Sequence, residues 1–364
     1  MSVLRNLGLA VISVLLALVA GEAALRVFAP IAYSMSIEYQ PDPHVAFRLV
    51  PKRTYQLAEG GTVTIDSRGY RGRGVTVPKP AGRFRIAVFG GSSTFSYLAD
   101  DSRIWTVLLE SRLREALGRD IEVVNVSAPG YSSWESSILY RYRVRDLEPD
   151  AAIVYHAWND LKLFRGIEED GELRKAIYHP KPWSARLRKF QLAWRLRSLF
   201  RPPGELAPRE ERWVEVAPDD AFRVTPAGAA HRFARHTYRD MARAFADDGV
   251  LGVFASQASL LTRENVDDPG IRQRVYTEFV DLDYPEILDQ WDAIAAMQRE
   301  AAEATNGVFV DVRASVPADL EHFRDHVHLT DVGNAAVAEA LADELLASDR
   351  FRAAVLGSGR VSVE

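Results

Sequence analysis

The chain has 364 residues, 47% of them hydrophobic and 26% charged, enough apolar material for one large folded domain or one domain with appendages. A formal net charge of -5 leaves no global basic field to hold a nucleic-acid backbone, which argues against a nucleic-acid partner. The absence of cysteine excludes disulfides, thiolate metal sites and cysteine nucleophiles, so covalent catalysis has to use another side chain.

At the N-terminus, Leu7 to Gly21 is an apolar run preceded by Arg5; Glu22 interrupts it, and Ala23 to Pro30 continues mostly apolar apart from Arg26. Fifteen uninterrupted residues are shorter than the roughly 20 a bilayer core requires, but the segment to Ala29 reaches if Glu22 and Arg26 sit at the far interface. Three readings compete over residues 1–30: an uncleaved signal anchor, a signal peptide cleaved near Ala20 to Ala23, and a buried core helix. The weak small-residue cleavage pattern favours the anchor. Positive charge at the start then puts the N-terminus in the cytoplasm and the rest on the extracytoplasmic side, periplasmic or extracellular.

Residues 31–82 are rich in Pro, Gly and Arg, with short alternating pieces such as Thr62 to Ile65, and read as an extended or β-rich lead-in. From Arg83 the pattern changes. Strands are predicted over Phe84 to Phe89, Ile121 to Val126, Ala151 to Tyr155, Leu251 to Ala255 and Val308 to Val312. Helices alternate with them over Ile104 to Leu117, from Ser132, over Ala227 to Ala246 with Thr225 and Pro226 at its start, over Tyr284 to Ala304, and over Thr330 to Ala347. Such alternation implies an α/β domain over 83–350, with a parallel sheet covered on both faces and ligands at the carboxyl ends of the strands. Residues 351–364 are left as a C-terminal tail.

An insertion over 161–224 exceeds what a compact connection requires. Between Arg174 and Arg201 it carries nine Lys or Arg and no Asp or Glu, interleaved with Trp183, Phe190, Trp194 and Phe200. A solvated helix packed on the domain, a face for anionic headgroups, and a cleft for an anionic or sugar-like substrate all fit this composition.

Chemistry-bearing residues cluster where strands end. Gly90-Gly91-Ser92-Ser93-Thr94 follows the first strand, and the two glycines allow a sharp turn that presents Ser92. Alone this is weak, because Gly and Ser also make plain turns and caps. The second strand leads to Asn125-Val126-Ser127-Ala128-Pro129-Gly130 and the third to His156-Ala157-Trp158-Asn159-Asp160. A glycine N–H and an asparagine amide at neighbouring strand ends are donors suited to an oxyanion. Before the last helix, Asp325-His326-Val327-His328 has the spacing at which a carboxylate orients one ring nitrogen while the other faces a nucleophile. The alternatives are a helix-proximal cap for Asp325 and a satisfied core histidine for His328. A zinc site from His322, His326 and His328 is disfavoured for want of a further matching cluster.

Together these four blocks resemble the SGNH hydrolase superfamily, also called GDSL hydrolases, whose hallmark is a Ser, a Gly, an Asn and a His in that order. Ser92, Gly130, Asn159 and the Asp325/His328 pair match them, over about Arg83 to Leu345 without the insertion. The lead-in motif Asp66-Ser67-Arg68-Gly69-Tyr70-Arg71-Gly72 also resembles anchored bacterial members. Two positions depart from the pattern: Gly91 stands where the family name has Asp, and Ala157 where Gly is usual.

The resemblance implies a three-layer α/β/α sandwich with a five-stranded parallel, flavodoxin-like sheet. It also implies a catalytic triad of Ser92, Asp325 and His328, and an oxyanion hole from the Ser92 and Gly130 N–H groups with the Asn159 side chain. No metal or organic cofactor is required. The expected activity is hydrolysis of an ester, of short acyl or acetyl type, on a small molecule or carbohydrate. Acyl transfer or deacetylation on a surface polysaccharide uses the same site, and a non-catalytic binding protein on a decayed hydrolase fold is the alternative of another class.

Overall fold

The central strands of the main sheet are runs of buried residues, whereas the lead-in strand over Thr62–Ile65 alternates. All seven residues of β5 (Phe84–Gly90) and all six of β7 (Ala151–His156) are buried, as expected of parallel strands covered on both faces. The computed structural model describes residues 2–28, 37–45, 47–57, 60–96, 98–164, 229–275 and 282–357. It falls into two units, one holding the N-terminal helix and the other the lead-in and the α/β domain.

Helix α1 (Ser2–Phe28) contains a 20-residue stretch, Arg5–Ala24, of mean hydropathy 2.2. By length and composition it can cross a membrane, at about 1.5 Å of rise per residue; a signal sequence meets the same criterion.

The lead-in forms two antiparallel hairpins. Strands β1 (Tyr39–Pro41) and β2 (Phe47–Leu49) make the first, and β3 (Arg53–Gln56) and β4 (Thr62–Ile65) the second. The Asp66 carboxylate accepts from the N–H groups of Arg68 and Tyr70, both at 2.8 Å, and this local turn delivers Arg71 to the main sheet. There Arg71 N–H donates to the Asn125 carbonyl at 3.0 Å. Its buried guanidinium donates to the carbonyls of Phe95 and Ala99 and pairs with Asp101.

Five parallel strands build the main sheet in the order β6 (Ile121–Asn125), β5, β7, β8 (Leu251–Ser256), β9 (Val308–Val310). This flavodoxin-like order places a topological switch between β5 and its two neighbours. Helices α3 (Trp105–Leu117) and α10 (Asp331–Ala347) pack together on one side, and α4 (Ser133–Leu139), α6 (Ala229–Asp247) and α8 (Tyr284–Ala304) form the second helical layer. The short helices α2 (Ser92–Phe95), α5 (Trp158–Phe164), α7 (Pro269–Arg272) and α9 (Val312–Ser315) lie between these elements, and α11 (Asp349–Gly357) follows α10.

Several boundaries have local causes. Ser132 and Glu135 form a reciprocal cap on α4, Asp283 and Glu286 do the same for α8, and Thr330 caps α10. Strand β9 stops at Val310, short of the expected Val312, because Ser256 Oγ donates to Asp311 at 2.7 Å and accepts the Arg313 N–H, turning the chain into α9. Residues 351–357 belong to a helix rather than a tail: Phe351 and Val355 are buried, and the Phe351 ring meets Phe84 edge-on at 5.8 Å. The basic stretch 174–201, Thr225 and Pro226 lie outside the described residues.

Candidate active site

The Ser92, Gly130 and Asn159 blocks each follow the carboxyl end of a strand, and the Asp325/His328 pair comes from a loop further along the chain. Ser92 opens α2 directly after β5, so its N–H precedes the first intrahelical bond. Gly91 has φ -94°, and the need for glycine here is one of space more than of backbone angle. A Cβ at this position would stand 2.3 Å from Asn159 Nδ2 and 3.0 Å from the Tyr131 carbonyl oxygen. Three strand ends therefore meet at Gly91, and the departure from Asp removes a clash.

After β6, Ala128-Pro129-Gly130-Tyr131 forms a tight turn closed by Tyr131 N–H donating to the Ala128 carbonyl at 3.0 Å. Gly130 takes φ +96° in it, an angle suited to glycine at the third turn position after proline. After β7, Asn159 Nδ2 donates to the Tyr131 carbonyl at 2.8 Å. Next to it, Asp160 accepts the Ser133 N–H at 2.7 Å and the Tyr238 hydroxyl. The second and third blocks are thus tied to each other twice. Ala157 is buried, and its methyl leaves Asn159 within reach of Gly91.

The last block comes from the loop between α9 and α10. His328 Nδ1 pairs with Asp325 Oδ2 at 2.7 Å, and His328 Nε2 stands 2.8 Å from Ser92 Oγ. With Nδ1–H donating to the carboxylate, Nε2 is the acceptor facing the hydroxyl. Asp325 Oδ1 also accepts the N–H groups of Val327 at 3.0 Å and His328 at 2.9 Å. Burial alone would raise the Asp325 carboxyl, but the His328 hydrogen bond, the neighbouring imidazoles and the Val327 N–H hold it well below the usual carboxylate range. Ser92 and His328 remain half-buried.

The other histidines of this region are engaged elsewhere. His322 Nδ1 pairs with Asp319 at 2.7 Å. The His326 ring meets Trp158 at 4.0 Å, and its Nδ1 donates to the Arg274 carbonyl at 3.1 Å. Among the described residues no group of three or more His, Asp or Glu stands together as metal ligands would.

Sequence reasoning missed Gln257. Its side-chain oxygen accepts the Trp158 N–H at 2.9 Å, its amide donates to Ser93 Oγ at 2.8 Å, and its carbonyl accepts from Trp291 Nε1 at 2.9 Å. It follows β8 directly, so the rule that singled out the other strand ends would have found it. Beneath the site, burial pushes His156 down to about 3, and the ring meets Ser136 Oγ at 2.8 Å. Burial also pushes Asp160 up to about 6, against the opposing hydrogen bonds from Tyr238 and Ser133.

Several solved structures follow a similar chain course at low identity. LAE5, an alpha/beta hydrolase enzyme from the metagenome of Lake Arreo, Spain, is 14% identical, covering 77% of this chain and 97% of its own at a TM-score of 0.43. Axe2, an acetylxylan esterase from Geobacillus stearothermophilus, is 14% identical over 72% of this chain and 94% of its own, with a TM-score of 0.43. TesA is 14% identical over 72% and 97%, with a TM-score of 0.42. No curated protein matches the chain. The profile of the GDSL-like Lipase/Acylhydrolase family matches residues 88–336, from inside the strand that leads to Ser92 into the helix that follows His328. That span takes in all four blocks in order, and the chain accordingly belongs to the GDSL-like lipase/acylhydrolase family of ester-hydrolysing enzymes.

Proposed function

We propose that the chain is a serine esterase with Ser92 as nucleophile, His328 as general base and Asp325 as the group that orients it. The observation that carries this reading is the continuous relay from Asp325 through both ring nitrogens of His328 to Ser92 Oγ, at 2.7 and 2.8 Å. As Oγ attacks an ester carbonyl, Nε2 takes its proton and the buried carboxylate stabilises the imidazolium. The carbonyl oxygen becomes an oxyanion, received by the Ser92 and Gly130 N–H groups and the Asn159 amide. Collapse expels the alcohol, which leaves with the proton from Nε2. Water then attacks the acyl-Ser92 ester with His328 again as base, releasing the acid and restoring the serine.

A short acyl or acetyl group suits the site, because Ser93 and Trp158 are buried beside the nucleophile and are joined through the buried Gln257 side chain. The N-terminal helix supports a tether, with Arg5 at the start of the span favouring an extracytoplasmic catalytic domain. That placement would put surface polysaccharide esters within reach, and an acceptor hydroxyl in place of water would give acyl transfer from the same acyl-enzyme.

The test treats the full-length chain in detergent with a fluorophosphonate probe and p-nitrophenyl acetate, alongside Ser92→Ala and His328→Ala. Labelling and turnover in the wild type that vanish in Ser92→Ala are expected. A folded wild type that neither labels nor turns over would defeat the assignment.

A further inference from the structure

The family-matched span begins at residue 88, yet the wall of the Gly130 turn comes from the lead-in. A Cβ built on Gly130 would stand 3.3 Å from Phe47 Cζ, so the Phe47 ring lies against the backbone of the turn. The Phe47 carbonyl accepts the Tyr131 hydroxyl at 2.7 Å, and the two rings lie 5.2 Å apart. Tyr39, on the paired strand, meets Phe47 edge-on at 5.1 Å and directs its hydroxyl at the Pro129 carbonyl, 3.4 Å away. Residues 129 to 131 are thus held from one side by a single hairpin.

That hairpin is itself anchored at its tip. Asp42 caps the connection between β1 and β2 by accepting the N–H groups of His44 at 3.0 Å and Val45 at 3.3 Å. Its solvent-shielded side chain also pairs with Arg143, on the chain just after α4. Beside it the His44 ring stacks on Tyr142 at 4.1 Å with planes 4° apart. Such ties matter because a donor stabilises an oxyanion only where its position is set before the reaction.

We infer that the Tyr39–Leu49 hairpin is a clamp on the Gly130 turn, with Phe47 as a positioning residue that aligns the Gly130 N–H for the oxyanion. This rests on the reading of Gly130 as an oxyanion donor. Clamping acts on the transition state rather than on ground-state binding, so its loss lowers kcat more than it raises KM.

Phe47→Ala, Tyr131→Phe and Asp42→Ala are compared with wild type and with Phe47→Met, which keeps apolar bulk of similar reach against the turn, in the full-length chain. The readouts are kcat and KM for p-nitrophenyl acetate, the rate of fluorophosphonate labelling, whose phosphoryl oxygen uses the same donors, and the Tm. The expected result is a fall in kcat of roughly tenfold in Phe47→Ala and Asp42→Ala with KM within about twofold, slower labelling in parallel, and partial recovery in Phe47→Met. Should Phe47→Ala fail to fold, Asp42→Ala, remote from the turn, and Tyr131→Phe carry the comparison. An active wild type with unchanged kcat in these variants overturns the clamp alone, as does an equal loss in Phe47→Met. A wild type without turnover or labelling overturns the esterase reading and the clamp together.

Discussion

Asn159 Nδ2 donates to the Tyr131 carbonyl at 2.8 Å, joining the turn after β6 to the helix start after β7. One amide N–H is held by the protein while the other is left for the proposed oxyanion hole beside Gly91. Asn159→Ala removes the donor and leaves the Tyr131 carbonyl without this bond. A loss of about 10²- to 10³-fold in kcat is expected, measured with p-nitrophenyl acetate under saturating substrate. Undiminished kcat would remove Asn159 from the oxyanion hole.

Gly91 sets a limit on the family letter at its position. In Gly91→Asp the new Cβ has to displace the Asn159 amide, which lies 2.3 Å from where that atom would stand. Restoring Asp is therefore expected to reduce kcat/KM more than tenfold, since small misplacements of catalytic groups are costly. Wild-type turnover in Gly91→Asp would show that the strand ends shift freely there.

Asp325→Asn tests orientation rather than charge alone. The amide oxygen can still accept the Val327 and His328 N–H groups, while its NH₂ faces Nδ1 and drives the ring proton to Nε2. A folded protein with kcat lowered about 10⁴-fold is expected. Steady-state kinetics with the Tm as control decides it; a modest loss would mean that Asp325 only caps the loop.

His156 and Asp160 give opposite pH signatures. The fold lowers the His156 pKa from 6.5 to about 3, so its stabilising contribution is complete above 6.5 and is lost as pH falls through 3. Burial raises Asp160 from 3.8 to about 6, so its contribution is complete below 3.8 and is lost as pH rises through 6. Between pH 6 and 4 the two slopes oppose each other. Tm measured across this window should therefore drop more steeply on acidification in Asp160→Asn than in wild type, and less steeply in His156→Asn. The reverse order would contradict both assignments.

The sequence by itself determined the alternation of strands and helices and the residues at the strand ends. Those signals are local: a strand buried on both faces is a short apolar run, a helix shows its spacing within a few turns, and Asp325 lies three residues from His328. Even Gly91 was visible as a departure. Only the tertiary structure decided the strand order, the fit of Gly91 against Asn159, the bridge made by Gln257, and the docking of Phe47 on the Gly130 turn. Ser92 and His328 are 236 residues apart, and Phe47 and Tyr131 are 84 apart. Contacts of that kind depend on which surfaces the packed layers bring together, and a single chain read in order carries no distance between residues that far apart.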